Sequence, residues 1–315
     1  MSPDVLALKV RMRWLCLAGV CSKALKIERT DDVKAAAYVN GACITDSYWI
    51  KPAGSNLKYS DIRFKENHFA MMALKGDTNI YGYDLRLIDT RTPELTNIGC
   101  AEKCWIVAPD NQWHLIKRGT PQMIFSEMFV YLLGRMFGYS MAEYMVKDST
   151  AIESVDFTDN ASENYETIQS LINDRTDDYA LNYDVLMNLN PSAALDYVRM
   201  LYLDAIVRNP DRHEFNYGVL RDRSSGAVRG LAPNFDNNLA LISTGPIAST
   251  KRTSDTMIRD FCELINSRQI KFDLPMIPTV NQIDRLVRQI NVEVNTDGIA
   301  EFIINGMTAA ENQII

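Results

Sequence analysis

Histidine is scarce in this chain: His68, His114 and His213 are all that occur in 315 residues, and they lie far apart. The six cysteines, Cys16, Cys21, Cys43, Cys100, Cys104 and Cys262, include no C-x-x-C pair. A structural zinc site groups nitrogen and sulfur ligands at short spacings, so these absences argue against one. The cysteines read instead as small buried hydrophobes of a reducing compartment. Glycine, at 15, and proline, at 11, are too few for a collagen-like or low-complexity chain. Positive charge has no majority: 33 Lys and Arg against 40 Asp and Glu leave a net charge of -7, which argues against a surface made to wrap nucleic acid. A membrane-spanning helix needs ~20 consecutive apolar residues. The most signal-like run, Trp14–Cys21 behind Arg11 and Arg13, falls short of that and reads as an early core segment. The expected location is the cytoplasm, with no membrane contact; signal-independent secretion leaves no mark in a sequence.

What is present is an ordinary globular composition, 47% hydrophobic, 23% charged and 9% aromatic, long enough for two structural units. Thr30-Asp31-Asp32 before Val33–Val39 predicts a capped short helix that stops near Asn40-Gly41. The runs 104–108 and 113–117 flank Pro109-Asp-Asn-Gln112 and predict a hairpin. A turn centred on Asp110-Asn111 sets Cys104 opposite Lys117 and the loop 99–103 beside it. Thr120 and Pro121 open a helix with Phe125, Phe129, Leu132, Leu133 and Met136 at helical spacing, and Gly138 stops it. Residues 148–178 are dense in Asp and Glu and read as an exposed connection. A second helix starts at Asn190-Pro191 and ends before Asn209-Pro210. A second hairpin pairs 217–220 with 228–231 around Ser224-Ser-Gly226, and the chain from 255 onward reads as largely helical.

The ends of a hairpin meet, so Asn216 and Asp236 flank one open end, with Asp211 just upstream. Such oxygen-bearing side chains suit a hard cation such as Mg²⁺, completed by waters and substrate phosphates. Phosphoryl transfer asks for these ligands, a group that orients the attacking hydroxyl, a cation on the phosphates and backbone donors over them. Asp211 and Asn216 have the D-x-x-x-x-N spacing of a kinase catalytic loop, and Asp236 is the candidate second metal ligand. Lys117 is the candidate phosphate cation, Glu127 its holder, and the amides of Gly99, Cys100 and Ala101 the phosphate cover. Taken singly, each part has a plain reading. Asp211 and Asn216 read as turn caps, Glu127 as a solvent-facing helix residue, Lys103 as surface and His213 as a loop brace. Their order along the chain is what points to phosphoryl transfer.

The segment Asn209-Pro-Asp-Arg-His-Glu-Phe-Asn216 followed by Leu231-Ala-Pro-Asn-Phe-Asp236 resembles the HipA-type kinases. In these a D-x-H-x-x-N-like loop precedes a hairpin and a Leu-Ala-Pro-aromatic-Asp run. Gly99-Cys-Ala-Glu-Lys103 is similar to that family's phosphate loop and His114-Leu-Ile-Lys117 to its lysine strand, so the resemblance spans residues 95–241. Residues 44–60 look similar to small stand-alone HipA-like proteins. The resemblance implies an α+β, two-lobed protein-kinase-like fold, with a β-rich N-lobe in 1–155 and a mainly helical C-lobe in 156–315. It implies transfer of the γ-phosphoryl group of ATP, with Mg²⁺, to a Ser or Thr hydroxyl of a protein substrate. Asp211 would be the base, Asn216 and Asp236 the metal ligands, and Lys117 the group on the phosphates. A Ser three residues before the loop glycine can be autophosphorylated in that family. Thr96 stands there, and a phosphate on it would add about -1.5 to -2 charge beside the ATP phosphates.

The chain also departs from the family. Cys100-Ala101 stands where Ala-Gln is expected, residues 1–45 do not show the N-terminal region of the longer HipA toxins, and Asn237-Asn238 rather than Phe-Gly follows Asp236. The resemblance leaves room for an antitoxin-like partner, and the acidic balance leaves any DNA contact to that partner. Two other classes use the same parts: a small-molecule or lipid kinase, and a nucleotide-binding pseudokinase or interaction module.

Overall fold

The computed structural model describes residues 40–65, 103–172, 178–247 and 251–314. The chain divides into two compact units. One takes the described residues up to Lys117 with Thr158–Tyr165 and Asp222–Ser225; the other takes Arg118–Phe157, Glu166–Arg221 and the chain from Gly226 onward.

The first unit holds the short helix α1 (Tyr59–Ile62) and the strands β1 (Lys103–Val107) and β2 (Trp113–Arg118). Its core gathers Ile44, Phe64, Trp105, Trp113 and Ala161. Phe64 meets Trp113 edge-on at 5.6 Å between ring centroids, a favoured aromatic geometry. Asn160 ties a distant loop to the hairpin: its Oδ1 accepts from the Trp113 N–H at 2.8 Å and its Nδ2 donates to Asn111 O at 2.9 Å. The β1–β2 register differs from expectation by one residue, since Lys103 and not Cys104 stands opposite Lys117. The turn has three loop residues instead of two. The Asn111 N–H donates to Ala108 O at 2.9 Å and Asn111 sits at φ 67°, the type I turn plus left-handed residue of longer hairpins. The extra residue moves Cys104 onto Ile116, where both are buried.

The second unit contains α2 (Pro121–Met136), β3 (Tyr144–Asp148) and β4 (Ala151–Val155). After β5 (Glu163–Thr167), which runs on from the first unit, come α3 (Ile168–Ile172), α4 (Tyr179–Leu189) and α5 (Pro191–Val207). The hairpin β6 (Gly218–Asp222) and β7 (Val228–Leu231) follows, then α6 (Thr256–Arg268), α7 (Val280–Gln289) and α8 (Ile299–Glu311). The architecture is therefore α+β, as the sequence predicts. Among the described residues no helix is long and apolar enough to cross a membrane.

The helix ends follow their caps. Thr120 accepts from the Met123 N–H, and Asn190 accepts from Ser192 and Ala193 N–H at 2.9 and 3.3 Å, with Pro121 and Pro191 in the first turns. Helix α5 is buried without a break from Met200 to Val207, so it is apolar nearly all round and runs through the core. The acidic stretch 148–178 is not the exposed connection its composition suggested. Ala151, Ile152, Glu153 and Ser154 of β4 are buried, β4 pairs with β3, and the Glu153 carboxylate takes the Lys147 ammonium at 2.7 Å. Charge density reads as surface only when no partner waits for it.

Gly218 opens β6 at a point of close approach, where a Cβ would lie 2.1 Å from Glu166 O. Gly230, on the facing strand, has open space. Gly218→Ala is expected to cost about 1–3 kcal/mol by overpacking, whereas Gly230→Ala stays within about 0.5 kcal/mol of the parent. Urea denaturation of the two variants checks the contrast.

Candidate functional site

The site is built where α5 ends. Arg208 turns left-handed at φ 55°, and the Arg208 and Asn209 N–H groups both reach back to Asp204 O. Asn209 is fully buried, and its Nδ2 donates to Asp204 Oδ1 at 3.0 Å while its Oδ1 accepts from the Asp211 N–H at 3.3 Å. Asp204 is thus a charged group inside an apolar helix, its side chain 1% exposed.

Its counter-charge is Arg212, 2% exposed, which binds it in a fork: Nε to Oδ2 at 2.8 Å and Nη2 to Oδ1 at 3.0 Å. The rest of the guanidinium is spent on neighbouring segments. Nη1 donates to Asn216 O at 2.9 Å and Phe235 O at 2.7 Å. Nη2 donates to Asn234 Oδ1 at 2.9 Å and Asn237 Oδ1 at 2.7 Å. Burial alone would push the Arg212 pKa down. The Asp204 carboxylate outweighs it, Asp236 and Glu127 add to that, and the group is held above its ordinary value.

The loop between Asp211 and Asn216 closes on itself. Asn216 N–H donates to His213 O at 2.8 Å, Asn216 Nδ2 donates to Asp211 O at 3.1 Å, and the Phe215 N–H donates to His213 Nδ1 at 3.2 Å. His213 is therefore a loop brace. The segment 234–237 is held from three sides. Asn234 bridges to Met141 through its N–H to Ser140 O and its C=O from the Ala142 N–H. Asp236 lies at φ 62°, and its N–H donates to Tyr144 Oη at 3.3 Å. The Asn237 N–H donates to Glu127 Oε1 at 2.8 Å.

Asp211, Asn216, Asp236 and Glu127 thus belong to one network around Arg212 in the second unit. Glu127 is buried on α2 instead of facing solvent, and the bonds shown for its Oε1 come from Asn237. Lys117 belongs to β2 of the first unit, 7% exposed and opposite Lys103. Gly99, Cys100, Ala101 and Thr96 lie outside the described residues. Sequence reasoning missed Arg212, Asp204, Asn234 and Asn237. One signal was available: Asp204 is a lone charge in the apolar run Leu203-Asp-Ala-Ile-Val207.

Asn216, Asp211 and Asp236 offer oxygen atoms, the donor type a hard cation takes. Asn216 Nδ2 is committed to Asp211 O, which leaves Oδ1, the acceptor atom, as the other end of the amide. Among the described residues no cluster of three or more His, Cys, Asp or Glu side chains could hold a metal ion. Any Mg²⁺ here would therefore draw on substrate phosphates and waters to complete its shell.

No family model matches the chain, and no curated protein is similar to it at the level tested. Solved structures do resemble it. One is the Helicobacter pylori proinflammatory kinase CtkA, at TM-score 0.47 and 16% identity over 67% of this chain and 90% of that one. Another is HipA of Shewanella oneidensis MR-1, from a toxin–antitoxin complex with HipB and operator DNA, at TM-score 0.48 and 11% identity over 94% and 80%. The Chaetomium thermophilum Rio2 kinase, in an ADP/Mg²⁺-phosphoaspartate complex, gives TM-score 0.35 and 12% identity over 95% and 96%. HipA, which the motifs resemble, is thus among the structural neighbours. Likenesses of this size carry no argument about chemistry, which rests here on the geometry of the site.

Removing one member of a buried ion pair strands the other. Arg212→Met is expected to cost about 3–5 kcal/mol in urea denaturation, and Asp204→Leu with Arg212→Met to recover a large part of it.

Proposed function

We propose that the chain is an ATP- and Mg²⁺-dependent kinase that transfers the γ-phosphoryl group to a Ser or Thr hydroxyl of a protein, its own chain included. The observation that supports this reading is the Arg212 network. One buried guanidinium fixes both the loop that carries Asp211 and Asn216 and the segment that carries Asp236. These are the two segments on which phosphoryl transfer places its base and its metal ligands.

In this reading Asp211, half-buried at the head of the loop, accepts the proton of the attacking hydroxyl. The hydroxyl oxygen bonds to the γ-phosphorus as the bond from phosphorus to the β–γ bridging oxygen breaks, and ADP leaves with that electron pair. Asn216 Oδ1 and the Asp236 carboxylate would hold the metal ion. When bound, Mg²⁺ neutralises charge on the β- and γ-phosphates. Asn237 and Glu127 fix the backbone just after Asp236, so the ligand needs no reorganisation before the step. Lys117 is assigned to the phosphates, the amides of Gly99, Cys100 and Ala101 to their cover, and Thr96 to autoregulation. An antitoxin-like protein partner and a cytoplasmic location belong to the same reading.

The test is intact-protein mass spectrometry after incubation with ATP and Mg²⁺. The parent is expected to gain about 80 Da per phosphate, and Asp211→Ala and Asp236→Ala to gain none. Peptide mapping then locates the phosphate, with Thr96 the expected position. ATP consumption without a gain in mass would move the reading to a small-molecule acceptor. Absence of both, with calorimetry showing no ATP binding, would overturn it.

A further inference from the structure

Arg212 secures the loop beyond α5, but the end of the helix itself poses a second problem. The last carbonyls of a helix have no partner within it. Asp204 O is served by the Arg208 and Asn209 N–H groups, which leaves Ala205 O and Ile206 O. In a continuing helix the N–H groups of residues 209 and 210 would serve them. The Asn209 N–H is already committed, and residue 210 is a proline, which has none. Ala205 and Ile206 are buried, so oxygens left unpaired there would be costly.

The partner comes from a distant part of the second unit. Arg252, 2% exposed, donates from Nη1 to Ile206 O at 2.7 Å and from Nη2 to Ala205 O at 2.6 Å. Its Nε donates to Asp255 Oδ2 at 2.9 Å, while Asp255 Oδ1 caps α6 by accepting from the Met257 and Ile258 N–H groups. A cation thus sits at the C-terminal end of α5 and an anion at the N-terminal end of α6, each the sign that its helix end favours. From α8 the Phe302 ring faces the guanidinium, its centroid 3.9 Å away. Gly306 of α8 leaves room for it, since a Cβ there would lie 2.8 Å from Nη1. The guanidinium therefore has one seat among three helices. Its fork grips α5 a few residues before Asp211, at carbonyls that the Arg212 network does not reach.

We propose that Arg252 is a positioning residue for the turn 208–211: by holding Ala205 O and Ile206 O it fixes where the chain leaves α5, and so where Asp211 is presented. Asp255 orients Arg252, and the bare backbone of Gly306 gives it space. The role of Asp211 as base rests on the kinase reading. The hold of Arg252 on the turn does not.

Hydrogen exchange of the full chain without nucleotide, resolved to single amides, is the first test. The Arg208, Asn209 and Asp211 amides report on the turn, since each has a named acceptor. Arg252→Lys keeps the charge and loses the planar fork. The three amides are expected to exchange about tenfold faster in it, the loss of one hydrogen bond, while those of α4 and β6 keep the parental rates. Gly306→Ala presses only on the flexible end of Arg252, and is expected to give the same local pattern to a smaller extent. In self-phosphorylation, Arg252→Lys is expected to lower the maximal rate about tenfold and to leave the half-saturating ATP concentration within about twofold of the parent, the split of a misplaced base. Where the parent takes up no phosphate, the kinase reading falls by itself and the exchange result decides alone. Three results would overturn the proposal: parental exchange at the three amides in a folded Arg252→Lys protein or, where that variant does not fold, in Gly306→Ala; acceleration spread evenly over the chain; or an unchanged maximal rate in an active protein.

Discussion

The ion pair of Asp204 and Arg212 is the constraint on which the rest of the second unit turns. A carboxylate inside an apolar helix costs several kcal/mol to desolvate. The structure answers with a forked guanidinium and the Asn209 amide, so each carboxylate oxygen is satisfied. Lysine could not stand in. A rounded ammonium has three donors and no plane, whereas Arg212 aims one face at Asp204 and spreads its remaining hydrogens over four groups from 216 to 237. An ion pair of this kind adds little net stability compared with an apolar replacement. What it adds is position, since distant segments can satisfy it in one arrangement only.

Position is bought with strain at two backbones. Arg208 and Asp236 both lie in the left-handed region, at φ 55° and 62°, and neither is glycine. Each such residue costs on the order of 1 kcal/mol. Arg208 is held there by the bonds from residues 208 and 209 to Asp204 O, and Asp236 by flanking residues whose oxygens accept from Arg212. The strain sits beside Asp211 and at Asp236, the residues to which the chemistry is assigned. The core supplies what offsets it: α5 is buried along its second half, and removing its apolar surface from water contributes about 25 cal/mol per Å².

What could be read from the sequence was what depends on near neighbours. Thr120-Pro121 and Asn190-Pro191 mark helix starts because a cap and a proline act within one turn. The β6–β7 hairpin shows in its alternation and its Ser-Ser-Gly turn. The β1–β2 hairpin was legible too, but its register hung on one residue, Asn111, whose left-handed conformation adds a loop position. β4 was lost because the acidic residues around it were weighed by composition, while the lysine that partners its Glu153 sits on the adjacent strand. The Arg212 network was invisible for the same reason at greater range. Its acceptors at 234, 235 and 237 lie beyond a hairpin, and no local pattern links an arginine to asparagines more than twenty positions away. Asp211, Asn216 and Asp236 came from spacing and resemblance, which name residues without saying what holds them.

The asparagine after Asp236 has a consequence of its own. In kinases with Phe-Gly at that point, the packing of the Phe sets the active or inactive state. Here Asn237 is fully buried, its Oδ1 accepts from Arg212 and its N–H donates to Glu127. Turning the segment over would break both bonds and strip a buried guanidinium of an acceptor, each break costing about 1–3 kcal/mol. Phe235 adds to the hold by packing on Phe157 at 5.4 Å between ring centroids. A segment held this firmly is a poor switch.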